Sequence, residues 1–523
     1  MIKENIQQYF PKDAEIKFEG NAGIFEVAPS QIEKVVADLH KSKNLLLKLV
    51  TATDELKENG CFKIWYIFSA PKENAFIVPF IKVKDKESFP SVAFITHKAW
   101  DYEKRMKTFF GVTPAGHPDL RQVILHKNWP VDAFPLRKDY NLHERPKDAK
   151  GTFQFQKVKG EGIYEIPVGP IHAGIIEPGH FRFSVAGEKI MLLEPRLGFT
   201  HKGSEKLFEV LPLEDKVRLS EKISGDSSFS HSLAFCQALE QLSNTAVPKR
   251  ANYLRVIYAE LERLANHFGD IGAIMIDTGF NFGGAHGSRL REMIMQINER
   301  ITGSRFLRGV NKIGGVSKDI NNQEKNKLAG ELTNILKDFL EVISVAENST
   351  SLLNRLKGTG TLSYEIAQNR GVVGVAGRAV GILNDARVDY PYAAYNEISM
   401  GGMPEEKDGD VYARFCIRIK EAVASIKIIQ DALSKLPEGN INTASNKIAF
   451  KKNGLAISIV EGWRGDIIYF VTTDSTGAIS RVAPRDPSCI NWSVLKDAGL
   501  DNIVPDFPLI NKSFNLSYSG NDL

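Results

Sequence analysis

Between residues 61 and 70 the side chains Phe62, Ile64, Tyr66 and Phe68 fall on one face at a two-residue period, the pattern of a half-buried strand. The runs NAFIVPFIKV (74–83) and SVAFITHKAW (91–100) follow after turn-like breaks and predict two further strands. Later the period changes. From Leu254 the apolar positions Ile257, Tyr258, Leu261, Leu264, Ala265 and Phe268 recur at steps of three and four, one stripe of a helix. A second stripe runs through Tyr412, Phe415, Ile419, Val423, Ile426, Ile429 and Leu433 and is closed by Pro437 and Gly439. Short strand-like pieces, IYEIPVG and FRFSVAGEKIMLLEP, precede these helices, whereas residues 141–162 are polar and charged without either period. The pattern predicts an α+β chain in three parts: a mixed α/β amino-terminal domain (1–140), a linker (141–162) and a mainly helical domain with small peripheral strands (163–523). No internal repeat marks a solenoid or propeller.

Composition narrows the function. Of 523 residues, 43% are hydrophobic and 25% charged, which excludes a largely disordered chain. The 67 basic and 63 acidic residues leave a net charge of +4, too little to mark a nucleic-acid partner. Cys61, Cys236, Cys416 and Cys489 form no CxxC pair, so a zinc ribbon, a thioredoxin-type site and a cysteine-rich iron–sulfur box are excluded, and no cofactor is expected on the chain's own cysteines. The start MIKENIQQYFPKDAEIK lacks the features of a signal peptide, and no run approaches the roughly 18–20 apolar residues of a spanning helix. The expectation is a cytoplasmic chain that meets a membrane peripherally or through partners.

Residues 100–140 contain GHPDLR and PLRKDY, and at that separation the segment resembles the 30 kDa-type subunit of respiratory complex I. Gly116 and Pro118 set a turn there, and Arg137, Lys138 and Asp139 offer charge-assisted hydrogen bonds to a neighbouring subunit. Residues 163–523 carry GPIHAGIIEPGHFRF, THKGSEKLFE, RVIYAELERLANH, NERITGSRF and VPDFPLINKSF in one order. They resemble the 49 kDa-type subunit of complex I and, more closely, the large subunit of energy-converting nickel–iron hydrogenases of the formate hydrogenlyase kind. The resemblance implies a hydrophilic-arm subunit on the cytoplasmic face of the inner membrane. It also implies an iron–sulfur small subunit docked on the large domain, with that partner's cluster as electron source, and antiporter-like membrane subunits beneath.

In those hydrogenases two CxxC pairs hold nickel and iron through soft thiolates. Here the early motif reads KISGDSSFSHS, with Ser224 and Ser227 at the ligand positions, and the ending NLSYSGNDL places Ser517 and Gly520 at the second pair. Serine hydroxyls are hard and un-ionised, and glycine has no side chain. A nickel–iron centre is therefore not expected. The run DPSC (486–489) lacks a second cysteine, so Cys489 is not taken as a ligand. Resemblance to complex I implies instead a quinone headgroup held between a histidine, matched by His180, and a tyrosine, whose position falls on Gly225.

His180, Asp226 and His231 are the candidate proton donors of such a pocket, and Arg378 in GVAGRAVG joins His180 as a candidate quinone contact. Each has a structural alternative: imidazoles satisfied by carbonyls, an arginine bracing the backbone, a carboxylate that needs only a partner or water. Glu260 and Arg263, at i and i+3 on one helix, read in isolation as a solvated surface pair, while the resemblance makes them part of a buried polar network. His286 in FGGAHGSR lacks the spacing of a nucleotide loop, which argues against NAD binding. Two functions follow: an oxidoreductase-complex subunit, NADH:quinone oxidoreductase-like, whose pocket reduces a quinone or small acceptor, or a non-catalytic scaffold of a membrane ion- or solute-transporting complex. An open polar cavity reaching Ser224, Ser227 and Ser517 favours the first, and a packed plug the second.

Overall fold

The computed structural model describes residues 6–144, 146–173, 176–443 and 448–523. Strands β1 (Ile16–Glu19), β2 (Ala22–Glu26), β3 (Leu46–Glu55), β4 (Cys61–Ala70) and β5 (Ala75–Val83) form one sheet in the order β1-β2-β5-β4-β3. Only the β2–β5 pair is parallel. The alternating face of β4 packs inward, with Phe62 edge-on to Phe110 at 6.3 Å. Its opposite face is buried as well, because Trp65 packs against Phe470 and Ser69 bonds the Tyr390 hydroxyl, both from the carboxy-terminal half.

SVAFITHKAW, expected as a strand, is a turn leading into the helix Trp100–Arg105. The buried Glu103 carboxylate accepts from the Ser91 hydroxyl and the Val92 N–H, which takes these groups away from any ladder. The Arg137–Lys138–Asp139 cluster also differs from expectation. Arg137 donates to the Phe110 carbonyl at 2.7 Å and pairs with Asp85, while Lys138 pairs with Glu209 and reaches the Ser480 carbonyl, so these contacts join parts of one chain.

Among the described residues of 141–162 there is no helix or strand. The segment is nonetheless pinned: Arg196 lies over Phe153 and Arg182 over Phe155, 4.2 and 4.5 Å from the ring centres. Strands β6 (Ile163–Val168), β7 (His180–Ala186) and β8 (Lys189–Arg196) follow as an antiparallel sheet in the order β8-β7-β6.

The helical body comprises α1 (Ser228–Ser243), α2 (Lys249–Asp277), α3 (Asn281–Thr302), α4 (Asn322–Glu347) and α5 (Val411–Lys435), with shorter helices around them. Both predicted stripes lie in α2 and α5. The crossing of α2 and α3 depends on Gly272 and Gly287: a Cβ on Gly287 would come within 2.6 Å of the Gly272 Cα. Among the described residues no helix is long and apolar enough to cross a membrane.

A third sheet, β9 (Leu455–Gly462), β10 (Gly465–Thr473) and β11 (Ile479–Arg485), is an antiparallel meander between the two halves. Ile457, Ile459, Ile468, Phe470 and Ala483 join the amino-terminal core, and Ala456, Val460, Ile467, Tyr469 and Val482 join the helical core. Lys48 on β3 pairs with Asp466 on β10 at 2.7 Å across this junction.

Candidate functional site

Three short pieces of backbone converge at the site. The turn Ser224–Ser227 is closed by the Ser227 N–H on the Ser224 carbonyl and runs into α1. The tip of the β9–β10 hairpin is the two-residue loop Trp463–Arg464, bracketed by the Gly462–Gly465 pair. Ser517 caps the helix Tyr518–Asp522, its hydroxyl accepting from the Gly520 N–H at 2.9 Å.

Arg464 grips Asp226 through both carboxylate oxygens, each contact 2.6 Å. The Ser224 hydroxyl lies 2.9 Å from the Asp226 carboxylate and 2.9 Å from the Ser517 hydroxyl, 293 residues away in sequence. Trp463 donates its indole N–H to the Asp226 carbonyl. Burial opposes ionisation of Asp226, but the Arg464 guanidinium holds its carboxyl below the ordinary carboxylate range, so it carries no proton at neutral pH. Asp226 is thus placed to anchor the Arg464 cation.

Above this cluster opens a cavity of about 500 Å³, bordered by Ser224, Gly225, Asp226 and Arg464 on one side and by Glu177, Asp270, Arg291, Lys512 and Ser517 on the others. Ser227 does not border it; its hydroxyl sits behind Asp226 at 3.4 Å. Gly225, Asp226, Asn266 and Arg291 also line a small side chamber whose wall includes Glu262. The Glu262 carboxylate accepts from the Phe229 and Ser230 N–H groups at the start of α1 and from the Ser230 hydroxyl. Burial pushes its carboxyl up to about 7 against the pull of these donors, which leaves it able to hold and release a proton near neutrality.

The four residues that the resemblance matches to the hydrogenase ligands, Ser224, Ser227, Ser517 and Gly520, do not have the chemistry to hold a nickel–iron centre. Three present hydroxyls, and two of those hydroxyls are spent on each other and on Asp226. At the fourth, Gly520, a Cβ would stand 2.6–2.9 Å from the Asp486 carboxylate atoms. That carboxylate is itself fixed by the His231 ring at 3.0 Å and the Ser488 N–H at 2.7 Å. Among the described residues no three His, Cys, Asp or Glu side chains form a metal-binding group. Burial pushes the Cys489 thiol up to about 11, and it rests on the Gly520 carbonyl.

The other predicted residues lie elsewhere. His180, at the start of β7, contacts the Gly169 carbonyl through Nδ1, and its buried Nε2 has no partner among the described residues; the ring is not among the cavity's lining. Burial lowers its pKa. His231 is buried between Asp486 and the Tyr469 hydroxyl, a bracing position. Arg378 is also outside the lining, paired with Glu421 at 2.7 Å and Glu461 at 3.2 Å. Glu260 and Arg263 are not a surface pair: both are buried, and Glu260 also binds Arg387, Tyr395 and Ser425. Arg263 donates to the Glu461 and Gly462 carbonyls immediately before the hairpin tip.

Sequence reasoning misses Arg464, Glu262 and Glu177. The two glycines around Trp463–Arg464 are the available signal for a tight hairpin. Nothing local marks Glu262, nor Glu177 in EPGHFRF, which accepts from the Ser519 N–H far along the chain.

Comparison with known proteins agrees with the motifs. The family described as "Respiratory-chain NADH dehydrogenase, 49 Kd subunit" matches residues 277–522, and its 30 Kd counterpart matches residues 25–146. Formate hydrogenlyase subunit 5 of Escherichia coli (strain K12) is 31% identical over 95% of this chain and 88% of its own length. The C/D fusion polypeptide of NADH-quinone oxidoreductase from Phocaeicola vulgatus is 29% identical over 84% of this chain and 88% of its own. The carbon monoxide-induced hydrogenase of Rhodospirillum rubrum is 32% identical over 67% of this chain and 97% of its own. With both modules matched in order and these relatives covered nearly end to end, the chain belongs to the family of fused 30 kDa-type and 49 kDa-type hydrophilic-arm subunits shared by complex I and hydrogenase-related complexes.

Proposed function

We propose that this subunit works in a membrane-associated oxidoreductase complex of the NADH-quinone oxidoreductase and formate hydrogenlyase type, and that its cavity takes a quinone headgroup or another small polar acceptor. The observation that carries this reading is the polar cavity of about 500 Å³ over Ser224, Asp226 and Ser517, within the range of ligand pockets and bordered by Arg291, Arg464 and Lys512. Arg464, held in place by Asp226, and Arg291 are placed to donate to acceptor oxygens. Two electrons would come from an iron–sulfur cluster in a docked small subunit, and the two protons needed to form a quinol from Glu262 through the side chamber and from solvent. His180 and Arg378 take no direct part in this reading. The complex would be anchored peripherally on the cytoplasmic face by antiporter-like membrane subunits.

One specific observation favours the rival, a non-catalytic scaffold: the Asp486 carboxylate occupies the space a side chain at position 520 would need, and Asp226 beside Ser224 is spent on Arg464. The two readings separate on Ala273→Trp, which puts an indole into the cavity wall. In the intact assembly the variant should co-purify with its partners yet lose acceptor reduction. Unchanged electron transfer with the cavity filled establishes the scaffold instead.

A further inference from the structure

Where the amino-terminal half meets the helices of the other, a small chamber is lined by Lys98, Tyr102, Arg105, Arg370, Cys489 and Ser493, with the exposed Asp101 at its rim. Its free volume is about 20 Å³, room for one water-sized occupant. Lys98 is only 8% exposed, and among the described residues its ammonium has neither a hydrogen-bond nor an ion-pair partner. Its stem is clamped over Gly371, where a Cβ would come within 2.5 Å of the Lys98 Cε, so the amine has little freedom to withdraw.

In the chamber's lining three cations, Lys98, Arg105 and Arg370, meet one carboxylate, Asp101. Asp466, the carboxylate that acts on Lys98, is already taken by Lys48 at 2.7 Å and Arg485 at 2.9 Å. Arg105 spends one nitrogen on the Asn521 carbonyl, and Arg370 spends one on the Ser493 carbonyl and pairs with Asp497 at 3.5 Å, which leaves Lys98 and Arg105 without a carboxylate of their own among the described residues. Buried Nε and Nη1 of Arg485 also lack hydrogen-bond partners among the described residues. A buried ammonium among guanidinium groups is strongly disfavoured unless an anion joins it or it sheds its proton. Burial, with Lys48 close by, draws the Lys98 pKa down to about 7, so at neutral pH the protein stands at the point where a bound anion would tip the balance.

We propose that this chamber binds a small monovalent anion of chloride size, held by the Lys98 ammonium with the Arg105 and Arg370 guanidinium groups. The volume selects against sulfate and phosphate. Such an ion joins three parts of the chain: the helix Trp100–Arg105, the helix Tyr364–Arg370, and the terminal segment, which Arg105 holds through Asn521 and Cys489 holds through Gly520. Occupancy would steady the segment that carries Ser517.

Bromide is the probe. Crystals of the full chain grown in sodium bromide should give an anomalous peak between Lys98 and Arg105, and no peak there overturns the proposal. In solution, the unfolding temperature should rise saturably with bromide or chloride over gluconate at matched ionic strength. Lys98→Met should abolish that rise. A halide response that survives Lys98→Met also overturns the proposal, and if the variant does not fold, the diffraction result on the unaltered chain decides.

Discussion

Replacing Gly520 by Ala sets helix propensity against packing. Gly520 lies inside the helix Tyr518–Asp522, where alanine alone would stabilise by about 1 kcal/mol. The added Cβ, however, would meet the Asp486 Cγ at 2.6 Å and its oxygens at 2.8 and 2.9 Å, well inside ordinary contact. Asp486 has no route of retreat: it is fully buried and tied to His231 and Ser488. Overpacking of this kind costs about 1–3 kcal/mol, and a broken charge-assisted hydrogen bond adds about 1.5–3 kcal/mol. Set against the propensity gain, the expected net effect is a loss of roughly 1.5–5 kcal/mol. Urea denaturation followed by the fluorescence of Trp492, whose indole bonds the Ser517 carbonyl, measures it at the site. Adding Asp486→Ala should relieve the clash, so the double variant loses less than the sum of the single ones. A Gly520→Ala protein as stable as the parent, or more so, refutes the packing argument and with it the reading that Asp486 leaves no room for a side chain at this position.

Three further outcomes follow from the same geometry. Glu262 has a raised folded-state pKa of about 7 against an ordinary 4.5, so it lowers stability as pH climbs through that window; Glu262→Gln should reduce the loss between pH 5 and 8 by up to about 3 kcal/mol, read from denaturation midpoints. Arg464→Met leaves Asp226 without its cation and should cost about 2 kcal/mol at pH 7, less than a fully buried pair because 34% of the Asp226 side chain is open to solvent. Since the folded pKa of Asp226 is depressed, that cost should shrink in denaturation series as pH falls below the unfolded carboxylate's value. Glu260→Gln removes a carboxylate shared by Arg263 and Arg387 and should cost about 3–5 kcal/mol, seen as faster hydrogen exchange in the β9–β10 hairpin.

The helices are legible because their apolar residues keep the helical period even where burial is nearly all round: Ile257, Leu261, Leu264 and Phe268 on α2 recur at threes and fours although Glu260, Glu262, Arg263 and His267 between them are buried too. The strands β3, β9 and β10 are not, because they are covered on both faces and their apolar residues run on without alternation. Residues 91–100 mislead for another reason: Val92 and Ile95 look like strand residues, but the Val92 N–H is captured by the carboxylate of Glu103, on the next helix, and the Ile95 N–H turns back onto the Val92 carbonyl. At the site, the serines and Gly520 stand out by position within the motifs, and the structure does bring Ser224 and Ser517 together. Glu260 and Arg263 show the limit of local reading, since a pair three residues apart looks solvated until Arg387, Tyr395 and Ser425 arrive from more than a hundred residues away.

That buried network bears directly on the cavity. Glu260 orients Arg263 at 3.2 Å, and Arg263 clamps the carbonyls of Glu461 and Gly462, the last residues before the tip that presents Arg464. The strands behind the tip are pressed between two cores, one of them supplied by the amino-terminal half through Trp65. Arg464 then fixes Asp226, and Asp226 receives the Ser224 hydroxyl that also reaches Ser517. Although none of the described amino-terminal residues lines the cavity, that half is therefore part of what holds its polar wall in register. A side chain on a two-residue hairpin loop would otherwise be among the more mobile groups of the protein. Here it is braced from below by buried charge and from behind by a second domain.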